Sequence, residues 1–449
     1  MKKIVALLLA VLMLLSVVGC AAQKEAPIET EKKPDTVQED SQNSESEEPG
    51  KKEPVTIKVY ISGDSSETGS LQEKQLLRFK EAHKDTINLE IEKTPNVDSH
   101  VQKMKMLFAS GEYPDLFDSC GYDLTALGAS SDAIGDFAPY LEADPEFKSW
   151  ISDTTLEFNT HDGKVTSIGS TVYGAMYYNK ELFAKAGVEP AATWEEFFDN
   201  CEKLKAAGIT PMCMDTKDTG WITGLFLGAL IGSSSDAGYE FMLTYHPTSY
   251  ETPEFIAAIA QVQKCFQEYA PKNAIGANYD AGAASFLSGE TAMMFNGPWM
   301  IGDFSDPTKA VEGLADKIGV CPYPGNLVYA GGTSQWVMGN TSKEKMDAVA
   351  ALVKYLHSPE CMIEGVMVRG DIPDNPLATL TEEQRSQVPL TAETMDAVAA
   401  AKIKIGDFQA RWWPNVCDQL SVLYPALITN EITPEEFAAK LTETAAKNV

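Results

Sequence analysis

The stretch Gly289-Glu290-Thr291-Ala292-Met293-Met294-Phe295-Asn296-Gly297-Pro298-Trp299 decides how this chain folds. Thr291 to Phe295 is a short apolar run of strand length, bounded by Gly289 and by Asn296-Gly297-Pro298, and it predicts a buried strand. Asn-Gly-Pro forces a turn, and Pro298 suits the first position of a following helix. Trp299 therefore falls where a strand ends and a helix begins, the edge that faces the ligand crevice in open α/β sheets. An indole there can stack on an apolar ligand face while its N–H stays free to donate; plugging the top of a core is the competing expectation.

Outward from this stretch, strand and helix patterns alternate. Val55–Ile61 alternates β-branched and polar residues, Leu71–His83 is helical, Ile87–Ile91 is a second strand, Val101–Ser110 a second helix and Pro114–Asp118 a third strand. This βαβ order implies a mostly parallel sheet. Further on, Val172–Lys180 reads as a strand. Thr193 and Glu196 form a capping box that opens a helix, Trp221–Leu230 is a buried helix, and Pro253–Tyr269 is a long amphipathic one. The paired Gly331 and Gly332 suggest a crossing or a close approach of backbone to ligand. Ser342–His357 and Leu380–Ala401 read as helices, and Gln409–Pro414 as an aromatic loop. No internal repeat is apparent.

The chain has 449 residues, 44% of them hydrophobic and 22% charged, a globular composition with room for two or three domains. A net charge of −29 argues against nucleic-acid binding and against adhesion to an anionic bilayer without a dedicated device. Residues 1–20 predict that device. Lys2 and Lys3 precede an apolar run from Ile4 to Val18, too short for a spanning helix, which ends in Val17-Val18-Gly19-Cys20. This resembles the lipobox of bacterial lipoproteins, which implies a signal peptide over 1–20, a diacylglycerol on Cys20, and anchoring at the outer face of the cell membrane. Residues 21–54, rich in Glu, Lys, Ser and Pro, predict a disordered tether. With +2 in residues 1–20 and −5 in residues 21–54, the remaining −26 lies from Val55 onward. Seven further cysteines, an odd number without a C-x-x-C pair, predict buried thiols more than a disulfide framework, with a Cys201–Cys213 pair left open. Five histidines without zinc spacing indicate no metal site, and no cofactor motif is present.

Four motifs, in order, carry a resemblance. Tyr177-Tyr178-Asn179-Lys180-Glu181-Leu182-Phe183 through Gly187, Thr193-Trp194-Glu195-Glu196 through Pro211, Gly289 to Trp299, and Gly331-Gly332 to Ser342-Lys343 are similar to the extracellular solute-binding proteins of bacterial ABC importers, the carbohydrate group that includes maltose-binding protein. The resemblance runs from Val55 to the end. It implies an α/β, two-lobed periplasmic-binding-protein-like fold, each lobe a mostly parallel sheet flanked by helices, with the ligand cleft between the lobes. Lobe one would comprise 55–170 and 330–375, lobe two 171–329 and 376–449. The crossings would fall near Ser170-Thr171, Gly331-Gly332 and Asp374-Asn375.

It implies a monomeric, non-enzymatic receptor that captures a sugar or oligosaccharide by hinge closure and passes it to ABC permease subunits. A surface glycan-active enzyme needs two carboxylates in a defined acid/base setting, which no stretch displays; a non-transporting sensor on the same fold is the other alternative. A sugar needs aromatic platforms for its C–H faces and carboxylates or amides for its hydroxyls. Trp299 matches the family's stacking position, and either Trp412 or Trp413 is expected to face the cleft. Trp221, Tyr173 and Trp336 are further aromatic candidates, beside the close-approach Gly332. Asp64, Asp118, Asp215 and Asp371 are the expected hydroxyl partners. Arg369 could pair bidentately with a carboxylate or phosphate, which would favour an acidic sugar or sugar phosphate.

Overall fold

The computed structural model describes residues 53–63, 71–122 and 133–448. Eleven strands are described: β1 Val55–Ser62, β2 Ile87–Thr94, β3 Leu116–Asp118, β4 Thr160–His161, β5 Lys164–Val165, β6 Ser167–Asn179, β7 Thr210–Met212, β8 Thr291–Asn296, β9 Ile318–Cys321, β10 Leu327–Met338 and β11 Ile403–Ile405. Nine of them join one sheet whose spine runs β2-β1-β3-β10-β6-β8-β7, with β11 added to β10 and β9 to β6, while β4 and β5 form a separate hairpin.

The two long strands organise everything. β6 and β10 run antiparallel, and each passes from one half of the molecule to the other. The first half of β6 and the last half of β10 pair with each other and, through Trp336–Met338, with β3. The second half of β6 pairs with β8 and β9, and the first half of β10 with β11. At the midpoint Ser170 faces Thr333, Thr171 faces Gly332 and Val172 faces Gly331, and the register slips between Thr333 and Trp336. Parallel pairing is confined to the outer strands, β1 with β2 and β3, β7 with β8, and β10 with β11.

Two sets of apolar cores flank this midpoint, giving the two lobes. One set gathers Ile57, Val59, Leu76, Phe79, Leu116, Trp336 and Leu352, with a satellite of Tyr60, Met104, Phe117 and Val337. The other gathers Tyr177, Phe226, Phe295, Tyr329, Phe408, Trp412 and Phe437. The helices that cover each core follow the sequence closely. Thr193 and Glu196 make a reciprocal capping box for the helix Trp194–Ala206. The helix Trp221–Gly232 buries every residue after Trp221.

Differences from expectation are local. The second helix starts at Val97, because the Asn96 side chain accepts from Ser99 N and caps a first turn that is mostly polar. The polar segment after Leu380 is two helices, Glu382–Gln387 and Pro389–Ala400, divided where Pro389 can only begin a helix. Pro298 lies in a turn, and the helix that follows is Met300–Ser305 with Trp299 as its cap. All seven cysteines among the described residues are free thiols, Cys201 and Cys213 included.

The crossing strands are held by a buried polar knot. Asp374 accepts hydrogen bonds from Ser152 Oγ at 3.0 Å, Thr155 Oγ1 at 2.9 Å and Thr171 Oγ1 at 2.5 Å. Asn159 donates to Thr333 O at 3.1 Å and accepts from Ser334 Oγ at 2.8 Å. The backbone near residue 374 is thus tied to both the helix Asp153–Phe158 and β6.

Candidate functional site

Segments from both lobes meet beside the strand midpoint. Thr333 Oγ1 donates to Gly121 O at 3.0 Å, which sets the loop after β3 against the crossing strands and presents Tyr122. From the other lobe, Gln409 Nε2 donates to Tyr122 Oη at 3.1 Å and also to Thr219 Oγ1. Asp98, in the first turn of the helix Val97–Ser110, is hydrogen-bonded to Asp218 across the gap. Partial burial, then the Asp218 charge and hydrogen bond, then Asp280, push its carboxyl up to about 6. Further along the same helix as Asp98, Lys105 Nζ meets Asp418 Oδ2 of the helix Pro414–Ile428 at 3.0 Å, a second bridge between the lobes.

The aromatic wall belongs to the second lobe. Trp221, three residues after Asp218, opens its helix half-buried, and the Trp299 ring lies 6.0 Å from it at 49°. Trp299 is half-buried at the end of β8, as its place in the sequence suggested. Its N–H is not free: Nε1 donates to Tyr279 Oη at 3.0 Å, and Asn296 Nδ2 donates to the same oxygen at 3.2 Å. A Cβ on Gly297 would sit 2.1 Å from the Trp299 ring, so only glycine lets the indole fold back over the turn. Fixed by Tyr279 and Gly297, the ring offers a face, not its donor.

Trp412 does not face the gap: it is 1% exposed inside the second lobe, edge-on to Tyr250 at 5.1 Å. Trp413 is half-buried and stacks on His246 at 3.7 Å, apart from the Trp221–Trp299 pair. Trp336 is 2% exposed in the first lobe's core, because its strand neighbours Asp118 and Ile168 enclose it. Tyr173 shares with Thr171 the face of β6 that carries Asp374; Thr333, which anchors the Tyr122 loop, points from the opposite face. Burial, followed by the Asp374 charge, pushes its phenol up to about 12. Gly332 packs against Phe158, which leaves no room for ligand: a Cβ there would be 2.8 Å from Phe158 Cβ.

Asp118 is 7% exposed and already occupied, accepting from Gln72 Nε2 at 2.7 Å and Cys120 N at 2.8 Å. Asp215 is fully buried below the Asp218 turn. Its Oδ1 accepts from Thr223 N at 3.1 Å, Oδ2 has no partner, and burial pushes the carboxyl up to about 7. Arg369 and Asp371 form an ion pair with each other, Nε to Oδ2 being 2.8 Å. A phosphate would have to compete with that carboxylate. Asp64 and Cys20 lie outside the described residues.

Asp98, Tyr122, Thr219, Tyr279 and Gln409 were not singled out in the sequence. Asn96 ahead of Asp98 was a readable cap signal; Tyr122 and Gln409 meet only in three dimensions. Among the described residues no three His, Cys, Asp or Glu side chains are grouped to hold a metal, and no helix is long and apolar enough to cross a membrane.

The model of the family described as "Bacterial extracellular solute-binding protein" matches residues 64–362. The sn-glycerol-3-phosphate-binding periplasmic protein of Shigella flexneri is 25% identical over 308 residues, 64% of this chain and 68% of that one. That of Escherichia coli (strain K12) is 29% identical over 296 residues, 62% of this chain and 65% of that one. The chain thus spans about two thirds of the length of these relatives. Among solved structures, a chitin oligosaccharide binding protein superimposes with a TM-score of 0.75 at 22% identity, covering 88% of this chain and 98% of that one. Maltose-bound MalE3 of T. maritima does so with a TM-score of 0.71 at 20% identity, covering 88% and 100%. At such identities the likeness concerns the fold alone.

Proposed function

Because this chain belongs to the family of bacterial extracellular solute-binding proteins, we propose that it is a receptor that captures a sugar or oligosaccharide by hinge closure and delivers it to the permease of an ABC importer. The observation that carries this reading is the Trp221–Trp299 pair on one lobe opposite Asp98 and Tyr122 on the other. Flat indoles suit the apolar C–H faces of a pyranose, and carboxylates, a phenol and the Gln409 amide suit its hydroxyls. The second lobe supplies the indoles and Gln409, and the first adds Asp98 and Tyr122 from the facing side.

In this reading lobe one is 55–170 with 330–375 and lobe two 171–329 with 376–449, so that the crossings coincide with the β6–β10 midpoint and with Asp374. Ligand bridges the lobes and shifts the population toward the closed form, the general behaviour of periplasmic binding proteins. The protein works as a monomer without catalysis, held at the outer face of the cell membrane by a diacylglycerol on Cys20.

A thermal-shift screen against neutral mono- and oligosaccharides tests the proposal. At a hundredfold excess over its Kd a true ligand adds about 2.7 kcal/mol, a readily visible rise in Tm. A complete absence of shifts across the saccharide set, or turnover of any of them on chromatography, would overturn it.

A further inference from the structure

The helix that carries Trp221 begins without a cap of its own. Its N-cap position is Gly220, held at φ 61°, which has no side chain to accept from the first turn. Asp215 supplies the missing acceptor from upstream in the chain. Its Oδ1 accepts from Thr223 N at 3.1 Å, Thr223 Oγ1 donates to Asp215 O at 2.6 Å, and Asp215 N donates to Thr223 Oγ1 at 3.3 Å. Both residues are fully buried, so the turn between them is closed from beneath.

The same side chain lies against the support of the second indole. Gly282, in the helix Tyr279–Leu287, packs so closely that a Cβ there would be 3.0 Å from Met214 O and 3.1 Å from Asp215 Cβ. Tyr279, which opens that helix, fixes Trp299. The turn before Trp221 is also tied to the residues just ahead of Tyr279. Thr216 N and Lys217 N donate to Ala277 O at 3.0 and 2.9 Å, and Gly276 N donates to Thr216 Oγ1 at 2.7 Å. The Tyr424 ring closes on Gly220, where a Cβ would sit 2.9 Å from Cε2. Trp221 and Trp299 thus come from separate segments that rest on one buried carboxyl.

We infer that Asp215 is a positioning residue: its Oδ1 acts as the remote cap of the Trp221 helix while its Cβ bears the Tyr279 helix, and together these fix the distance and angle between Trp221 and Trp299 before any solute arrives. The inference rests on the reading of the two indoles as a solute platform. It gives Asp215 a role other than the hydroxyl contact its sequence position suggested, because a fully buried side chain cannot reach a solute. A wall whose rings are locked by buried hydrogen bonds is preformed, and binding then spends less on ordering it.

The rings stand 6.0 Å apart at 49°, close enough for an exciton couplet in circular dichroism, isolated as the difference between the full-length protein and W221F. D215N keeps Oδ1 and should keep the couplet. D215L has a similar shape without the acceptor and should lower it by about half or more. G282A, whose methyl would wedge the Tyr279 helix away from Asp215, should change it too. L441A, a truncation elsewhere in the same core, should lower the urea midpoint and leave the couplet as it was. Affinity for the strongest saccharide of the thermal screen should fall about tenfold in D215L and by less than about threefold in D215N.

An unchanged couplet in folded D215L, or a couplet that falls as far in L441A, would overturn the inference, as would weaker binding in D215L with the couplet intact. Where D215L does not fold, an unchanged couplet in G282A overturns it. If the couplet follows the expected order while no saccharide binds the wild type, the positioning role stands and the receptor reading falls.

Discussion

Trp299 Nε1 donates to Tyr279 Oη at 3.0 Å, so the indole that ends the decisive strand is pinned by a phenol from a different helix. The same oxygen accepts from Asn296, the last residue of β8. Ring orientation therefore depends on a shared acceptor. Replacing Tyr279 with Phe removes that acceptor and leaves two donors competing for water or nothing.

This gives a graded expectation. W299A should weaken saccharide binding by more than about tenfold, since a stacked aromatic surface is lost along with its area. Y279F should weaken it by about three- to tenfold, the cost of one lost hydrogen bond and a looser ring. G297A, whose Cβ would collide with the indole, should resemble W299A more than Y279F. Calorimetric titration with the strongest saccharide from the thermal screen measures all three; wild-type affinity in G297A would show that the ring's pose is irrelevant.

Asp374 is the acceptor at the centre of the crossing. D374A strands the hydroxyls of Ser152, Thr155 and Thr171 in a region where Asp374 itself is 5% exposed. The loss should be about 2–4 kcal/mol, read as a lower urea midpoint at unchanged slope. D374N keeps one acceptor oxygen and should lose roughly half as much. A D374A protein as stable as wild type would remove the knot from any role in holding the strands together.

Asp215 makes stability pH-dependent in an unusual direction. Its folded carboxyl is raised to about 7 by burial, whereas an unfolded aspartate titrates near 3.9. The folded protein keeps this proton where the unfolded chain has released it. The contribution is complete below about pH 4 and is lost as pH rises through about 7, by up to about 4 kcal/mol. His357, lowered by burial between Gly169 O and Val353 O, works the other way as pH falls below the ordinary histidine range. The difference between wild type and D215N isolates the aspartate: it should shift in favour of D215N between pH 4 and pH 8. A flat difference would mean that Asp215 stays ionised in the fold.

The Lys105–Asp418 bridge is exposed, with side chains 22% and 53% accessible, and such pairs contribute at most about 1 kcal/mol. K105M should weaken saccharide binding by less than about fivefold at low salt and not at all near 1 M salt, where charges are screened beyond about 3 Å. Affinities measured across that salt range decide it; a larger or salt-independent effect would point to packing by the lysine stem.

Elements with strong periodicity and explicit caps were readable in the chain. β8 fell within a residue of its place, and the Thr193–Glu196 box was visible as written. The long strand β6 was read from Val172 but begins at Ser167, because Ser167-Ile168-Gly169-Ser170-Thr171 has no apolar alternation of its own and becomes a strand by pairing with β10, more than 150 residues away. Trp412 and Trp413 look alike in sequence, yet one fills a core and the other stacks on a histidine that is distant in the chain. Tyr122 and Gln409 join the site only because the lobes are apposed. Position along a strand thus located Trp299, whereas partners drawn from the opposite lobe leave no trace in local pattern.

The division of labour along β10 bears on how the molecule is made. β3 is flanked on one side by β1, a neighbour available early, and on the other by Trp336–Met338, synthesised more than 200 residues later. An emerging chain therefore carries an unfinished sheet, with an open strand edge, until the whole of the other half has followed it out. Such a precursor is well suited to passage across a membrane before it becomes rigid, and a fragment ending near residue 330 should be bound by chaperones or degraded instead of accumulating as a separate half.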